Sequence, residues 1–248
     1  MITTVTMNAA LDKAYFMEKA IENGTVMRVS RCHTTAGGKG LNVARAIAIC
    51  GGQVQATGLV GGFNGQYLES LLDQDKIPHQ FGHVSGETRS CINILDPGYG
   101  STEYLEPGFT VSPEEEQEFM DRFPDIIRDS DVVTISGSLP RGISKDIYSK
   151  MITIAREMGK KVLLDSSGET LKKAIAAGPT LVKPNQDEIQ QLAEAKITSE
   201  EDLIRCGKKV HEMGVAYVVI SQGKEGALLI CEEGVFKGHY PKIKAVNA

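Results

Sequence analysis

An α/β fold, with a mainly parallel central sheet and a small β flap beside it, is what this 248-residue chain predicts. Three observations carry the prediction. Short β-branched runs recur along the chain, helical segments with start and stop signals lie between most of them, and the runs are apolar almost throughout rather than alternating. Strands buried on both faces read in this way, and helices packed on both faces are what buries them.

Taken in order, the runs are Ile2–Thr6, Val54–Val60, Asp131–Ile135, Lys161–Leu164, Thr180–Val182 and Ala216–Ile220. Leu41–Cys50 is a helix that is apolar almost all round except for Asn42 and Arg45, so it is expected to be buried. Ser112-Pro113-Glu114-Glu115 supplies an N-cap, a proline at the first helical position and a capping-box acid. Thr198 with Glu201 repeats the capping-box spacing, and Leu203, Cys206, Val210 and Met213 then form one apolar stripe. Gly159 and Gly214 end the helices that precede two of the strands.

Residues of about 13–35 and 86–106 break the rhythm: they are polar or aromatic, alternate weakly and lack a helical period. Ser90–Leu95, then Asp96-Pro97-Gly98-Tyr99-Gly100, reads as a strand, a turn and a return strand. These pieces make a flap whose apolar face a ligand or a second subunit would cover. The whole of 1–248 is otherwise one domain without repeats or low-complexity linkers.

Composition excludes several classes of function. Apolar residues make up 41% and charged residues 24%, which fits a globular core and not a disordered chain. The formal net charge of −5 argues against a nucleic-acid surface. No stretch approaches the length of a membrane span, and the first residues lack the charged and apolar regions of a signal peptide. Cys32, Cys50, Cys91, Cys206 and Cys231 are odd in number and scattered, so free thiols in a reducing cytoplasm are expected, without structural zinc.

Four stretches could carry chemistry. In Thr35–Ala44, the pair Gly37-Gly38 lets backbone come close to a ligand, and the following helix presents Lys39 and Asn42 in its first turn. It is not a Walker loop, because Gly40 stands where Ser or Thr is required. An ordinary tight turn is the bland alternative. Gly137-Ser138-Leu139-Pro140 follows a strand directly, where ligands collect in open α/β sheets; a plain strand-to-helix turn explains it too. In Lys183–Glu188, Pro184 breaks the strand, and Asn185 and Glu188 fall on one helical face. Those oxygens suit a hydrated Mg²⁺, while spacing alone favours a capping pair. Ser221-Gln222-Gly223-Lys224-Glu225-Gly226 is a phosphate-facing turn or a β-hairpin loop. Asp12 and Arg89 are isolated charged residues that complete the set.

Order and spacing link these stretches. T-x-N-x-A-x-D at Thr6–Asp12, A-G-G-K-G-x-N-V-A at Ala36–Ala44, T-R at Thr88–Arg89 and T-E-x-x-E-P-G at Thr102–Gly108 precede S-G-S-L-P at Ser136–Pro140, K-P-N-x-x-E at Lys183–Glu188 and S-x-G-x-x-G at Ser221–Gly226. Along essentially its whole length the chain resembles the PfkB, or ribokinase-like, sugar kinases, in the branch of 1-phosphofructokinases and tagatose-6-phosphate kinases. The resemblance implies a three-layer α/β/α sandwich with a β lid, and transfer of the ATP γ-phosphoryl group to a hydroxyl of a sugar phosphate. It implies that Asp12, Gly37, Gly38, Lys39, Asn42 and Ser138 bind the sugar phosphate, which Arg89 grips. Arg28 would reach the sugar phosphate of a neighbouring subunit in a homodimer formed through the lid. It further implies that Lys183, Asn185, Ser221, Gly223 and Gly226 line the ATP phosphates, with Asn185 and Glu188 organising Mg²⁺ through water. Fructose 1-phosphate is the preferred acceptor, with tagatose 6-phosphate as the alternative.

Two departures from the family pattern stand out. Ala9 replaces the usual proline of N-P-A. Family chains also continue past Val246-Asn247 into a G-A-G-D segment, so the expected general-base Asp lies beyond Ala248 and no catalytic residue is assigned within the chain. A non-catalytic sugar-phosphate or nucleotide binder is the reading from another class. A redox dinucleotide enzyme is a distant third, because Met7–Ala10 has no G-x-G-x-x-G.

Overall fold

The computed structural model describes residues 1–239 and 241. It divides into two compact units, Met1–Ser144 and a second that starts at Lys145. In the first unit the elements run β1 (Ile2–Thr6), β2 (Ala10–Phe16), β3 (Arg31–Gly37), α1 (Lys39–Ile49), β4 (Val54–Gly61), α2 (Gly62–Gln74), β5 (His79–Val84), β6 (Arg89–Asp96), β7 (Gly100–Leu105), α3 (Pro113–Ile126) and β8 (Val132–Ser136). Its larger sheet has the order β8-β1-β4-β5 and is parallel throughout. Every residue of β4 is buried, Gln55 and Thr57 included, as expected of a strand covered on both faces. Leu41, Ala44, Val60, Leu68, Leu72 and Phe81 pack into the core beneath it.

The flap is a separate four-stranded sheet of order β3-β2-β6-β7, in which β2 and β6 are parallel and the outer pairs antiparallel. The predicted strand, turn and return strand are β6 and β7. The boundaries differ from 13–35: β2 starts at Ala10, β3 extends to Gly37, and residues 17–30 between them form no strand. Alternation fails as a signal at the near end because Ala10, Leu11, Ala36 and Gly37 are all buried there. Tyr99, Tyr104 and Leu105 at the far edge are exposed.

In the second unit the elements are α4 (Ile147–Glu157), β9 (Lys161–Asp165), α5 (Gly168–Ile175), β10 (Leu181–Val182), α6 (Gln186–Ala193), α7 (Glu200–Glu212), β11 (Tyr217–Ser221), β12 (Ala227–Cys231) and β13 (Gly234–Gly238). Strands β9, β10 and β11 are parallel neighbours, and β12 and β13 add antiparallel at the edge.

Three helix expectations need correction. Helix α1 is buried on one face only, through Gly40, Leu41 and Ala44, and Ile49 is 79% exposed. Ala46 is exposed on its outer face, so an apolar composition there does not mean burial. Helix α7 is capped one residue later than expected: the Ser199 hydroxyl accepts from the Asp202 amide at 3.1 Å, while Thr198 donates to the Asp202 carboxylate. Both offsets satisfy the capping pattern, and the chain uses the second. Met213 sits at the C-cap and is half exposed, so the stripe ends at Val210. The capping box at Ser112 and Glu115 forms as predicted.

Candidate functional site

In the first unit, the groups converge where β1 gives way to β2. The chain turns through Met7 and Asn8, both buried, and carries Asp12 on β2 opposite Thr35 of β3 and Cys91 of β6. Gly37 ends β3 beside the Asp12 carboxyl: a Cβ built on Gly37 would stand 2.1 Å from Asp12 Cγ, so only glycine permits this approach. Gly38 follows with φ +109°, a conformation that favours glycine, and its N–H donates to the Asp12 carboxylate. Burial pushes the Asp12 carboxyl above its ordinary value, opposed by that N–H and by the charges of Arg89 and Arg45.

Gly38 is also the N-cap of α1, without a side-chain cap and with no acid in the first turn. The leading amides of α1 are therefore disposed to receive an anion. Lys39 is exposed in this first turn, and Gly137, at φ +102° after β8, lies close to it: a Cβ there would be 3.7 Å from Lys39 Cβ. Asn42 accepts from Arg45 Nη1 at 3.1 Å, and Arg45 Nη2 donates to the Ala36 carbonyl at 2.6 Å. Arg45, read from the sequence only as a polar break in an apolar helix, thus ties α1 to the end of β3.

Arg89, at the start of β6, donates from Nη2 to the Asn8 carbonyl and from Nη1 to the Glu106 carbonyl, both at 3.2 Å. Ser138 is exposed, and its hydroxyl accepts from Asn8 Nδ2 at 3.4 Å. Asp12, Gly37, Gly38, Lys39, Asn42, Arg89 and Ser138 are thereby linked through shared neighbours within one unit. Arg28 is not among them. The segment 17–30 joins the far ends of β2 and β3, and the four steps from Asp12 to Phe16 span about 13 Å of strand.

The second unit gathers the other set. Lys183 follows β10, and its Nζ lies 3.2 Å from Asp165 Oδ2 at the end of β9. The Ser221 amide donates to the Pro184 carbonyl at 3.1 Å, and Asn185 bridges Ser221 in parallel register. Asn185 Oδ1 accepts from the Glu188 amide at 2.9 Å, and Glu188 Oε2 accepts from the Asn185 amide at 2.8 Å. The capping pair is therefore real, and it fixes the Glu188 carboxylate at the N-terminus of α6. Gly223 opens a single 3₁₀ turn between β11 and β12, closed by Gln222 N–H to the Gly226 carbonyl at 2.9 Å. The loop is thus a hairpin connection, as the bland alternative held, with Gly223 exposed and unobstructed at its tip.

Among the described residues, no group of three His, Cys, Asp or Glu side chains could hold a metal by itself. Magnesium fits such a place, because it keeps most of its waters and takes few protein ligands beside phosphate oxygens. The cap occupies one oxygen of Glu188. The five cysteines are free thiols, and no helix among the described residues is long and apolar enough to cross a membrane. The position expected for the general base lies after Ala248, and residues 240 and 242–248 fall outside the described residues.

Sequence reading missed Asp165 and Asn8 as site neighbours. Asp165 ends a recognisable strand run at its carboxyl end, a signal that was available. Asn8 lies within the T-x-N-x-A-x-D motif but carried no role of its own.

The sequence model of the pfkB family carbohydrate kinases matches residues 5–248. A tagatose-6-phosphate kinase of Staphylococcus epidermidis is 38% identical over 250 aligned residues, covering all of this chain and 80% of that protein. Among solved structures, phosphofructokinase-2 of Escherichia coli in complex with fructose 6-phosphate superposes with a TM-score of 0.90 at 31% identity, covering 98% of this chain and 80% of the other. A protein described as a possible 1-phosphofructokinase of Thermotoga maritima gives 0.84 at 29% identity, covering 95% and 76%.

Proposed function

This chain belongs to the pfkB family of carbohydrate kinases, and from that premise we propose that its acceptor is a ketohexose phosphate, with fructose 1-phosphate converted to fructose 1,6-bisphosphate. Its fold is the ribokinase-like α/β fold with a separate small sheet, and its chemistry is that of a phosphotransferase acting on an alcohol group of a sugar phosphate. The observation that supports the finer reading is the pairing of a partly buried carboxylate with a guanidinium that makes no ion pair among the described residues: Asp12 over Gly37-Gly38, and Arg89 held by two neutral carbonyls. A carboxylate suits sugar hydroxyls, and a guanidinium fork suits phosphate oxygens. The amides of α1, with Lys39, Asn42 and Ser138, complete this half.

In the second unit Lys183, Asn185, Ser221, Gly223 and Gly226 bind the ATP phosphates, and Glu188 with Asn185 holds Mg²⁺ through water. Magnesium supplies neutralisation of the charge that builds on the transferred group. The acceptor oxygen forms the new P–O bond, the bond between γ-phosphorus and the bridging oxygen breaks, ADP leaves, and the hydroxyl proton passes to a base. The protein's part is mainly to position the two phosphorylated substrates.

Tagatose 6-phosphate is the second reading, and the 38% identity to a protein named tagatose-6-phosphate kinase favours it. In both readings the small sheet is a lid, and the exposed Tyr99, Tyr104 and Leu105 at its edge, with Val26 and Val29 in the segment between β2 and β3, support pairing with a second copy, to which Arg28 would reach. ADP release measured with each sugar phosphate at equal ATP decides between the acceptors. A higher kcat/KM for fructose 1-phosphate is expected; a higher value for tagatose 6-phosphate replaces it. Tight binding of both by the full-length protein, without ADP release, would establish a binder in place of a kinase.

A further inference from the structure

Arg89 and Asn8 hold an unused hydrogen-bonding pair. Asn8 is 7% exposed, and its Oδ1 is buried without a hydrogen-bond partner; the buried Nε of Arg89 is without one too. A buried amide oxygen and a buried guanidinium N–H left unmade are both costly, so such atoms ask for an explanation. Gly108, at φ +85°, lies against both: a Cβ built there would stand 2.6 Å from Asn8 Oδ1 and 3.3 Å from Arg89 Cδ, the carbon bonded to Nε. Both side chains thus pack against Gly108 where a Cβ would clash, which brings acceptor and donor into one neighbourhood. Asn8 meanwhile receives Arg89 Nη2 on its main-chain carbonyl at 3.2 Å and offers Nδ2 to Ser138 Oγ at 3.4 Å. These are long contacts, so the guanidinium is held but not clamped.

We propose that Asn8 is the positioning residue of the sugar-phosphate grip. When the guanidinium turns its outer edge to the phosphate, Arg89 Nε–H closes onto Asn8 Oδ1 while Asn8 Nδ2 keeps Ser138 in line. Asn8 touches no substrate; it acts through Arg89 and Ser138. The inference rests on the reading of Arg89 as the phosphate-binding residue.

The test is a double-substitution cycle read by equilibrium binding of fructose 1-phosphate, with tagatose 6-phosphate in parallel and ATP as the control in the second unit. Arg89→Lys keeps the charge but removes the Nε–H donor. Asn8→Ala and Arg89→Lys are each expected to weaken sugar-phosphate binding by about tenfold, the worth of a charged hydrogen bond. Combined, they are expected to weaken it by about tenfold to twentyfold, with ATP affinity unchanged throughout. A combined loss of about a hundredfold means the two act independently and overturns the proposal, as does equal loss of ATP affinity in Asn8→Ala. If Asn8→Ala loses its cooperative melting transition, Asn8→Ser enters the same cycle. If Arg89→Lys and Arg89→Ala both leave sugar-phosphate affinity unchanged, the phosphate site itself has been misplaced, a different failure from additivity.

Discussion

Replacing Asp12 with asparagine pulls binding and stability in opposite directions. The carboxylate has two oxygens with about four acceptor positions, of which the Gly38 amide takes one, leaving room for sugar hydroxyls. Asn retains one acceptor oxygen and loses the anionic one, so about one charged hydrogen bond is lost. That is about 1.5–3 kcal/mol, or about 10–150-fold in sugar-phosphate affinity.

Stability moves the other way. Burial raises the carboxyl's pKa above 3.8 in the folded chain, outweighing the Gly38 amide and the charges of Arg89 and Arg45. A group with a raised folded-state pKa contributes stability that is full below its unfolded pKa and is lost as pH climbs through the folded value. At neutral pH the ionised Asp12 therefore burdens the ligand-free protein, and Asp12→Asn removes the burden. Melting curves without ligand at about pH 4 and about pH 7.5, with calorimetric titration of fructose 1-phosphate, read both effects. Each kcal/mol recovered raises the melting temperature by about 2–4 °C. The variant should melt higher than the parent near pH 7.5, with a smaller difference near pH 4. A variant that melts lower near neutrality and binds the sugar phosphate as before would refute the reasoning.

Gly37→Ala places a methyl 2.1 Å from Asp12 Cγ, so the carboxylate must move; sugar-phosphate affinity should fall by at least about tenfold while ATP affinity, titrated separately, holds. Glu188→Gln keeps a side chain able to complete the capping box, so the melting temperature should change by no more than about 2 °C. The Mg²⁺ concentration needed for half-maximal ATP binding should nevertheless rise by about tenfold, and an unchanged requirement removes Glu188 from the metal. Asp165→Asn frees Lys183 from a partly exposed ion pair and should tighten binding of metal-free ATP by about twofold to fivefold, read by competition with a fluorescent nucleotide.

The central sheet was legible because strands buried on both faces leave β-branched, mostly apolar runs; β4 is buried throughout even at Gln55 and Thr57. Strands β12 and β13 escaped notice because β12 is buried only in part and β13 has no buried residue, and the hairpin turn that leads from β11 into β12 doubles as a glycine-rich loop. The small sheet was legible at its outer end, where Asp96–Gly100 gives a strong turn signal. It was not legible at its base, where burial of both faces erases the alternation of β2 and β3. Helix α1 misled in the other direction, since alanine is equally at home on a solvent face. Within the candidate site, the motifs name residues but not their couplings. Nothing in the spacing joins Asn8 to Arg89, which are 81 residues apart and meet only through the parallel register of β2 and β6.

The two halves handle their cations differently, and this bears on how an acidic chain handles doubly phosphorylated chemistry. Lys183 faces the Asp165 carboxylate, so part of its charge is answered before any nucleotide arrives. The Arg89 guanidinium is held by carbonyl oxygens, which carry no charge, and the nearby carboxylate that feels it is Asp12. In that environment the Arg89 charge also lowers the Asp12 pKa against burial. Phosphate bound to Arg89 would weaken this support, and sugar hydroxyls donating to Asp12 would restore it, because hydrogen bonds to the charged form favour it. A ligand carrying both groups therefore gains over one carrying either alone. On the proposed roles of the two residues, inorganic phosphate would meet Arg89 but leave Asp12 less well supported, so this half-site would favour a sugar phosphate through electrostatic coupling between Asp12 and Arg89.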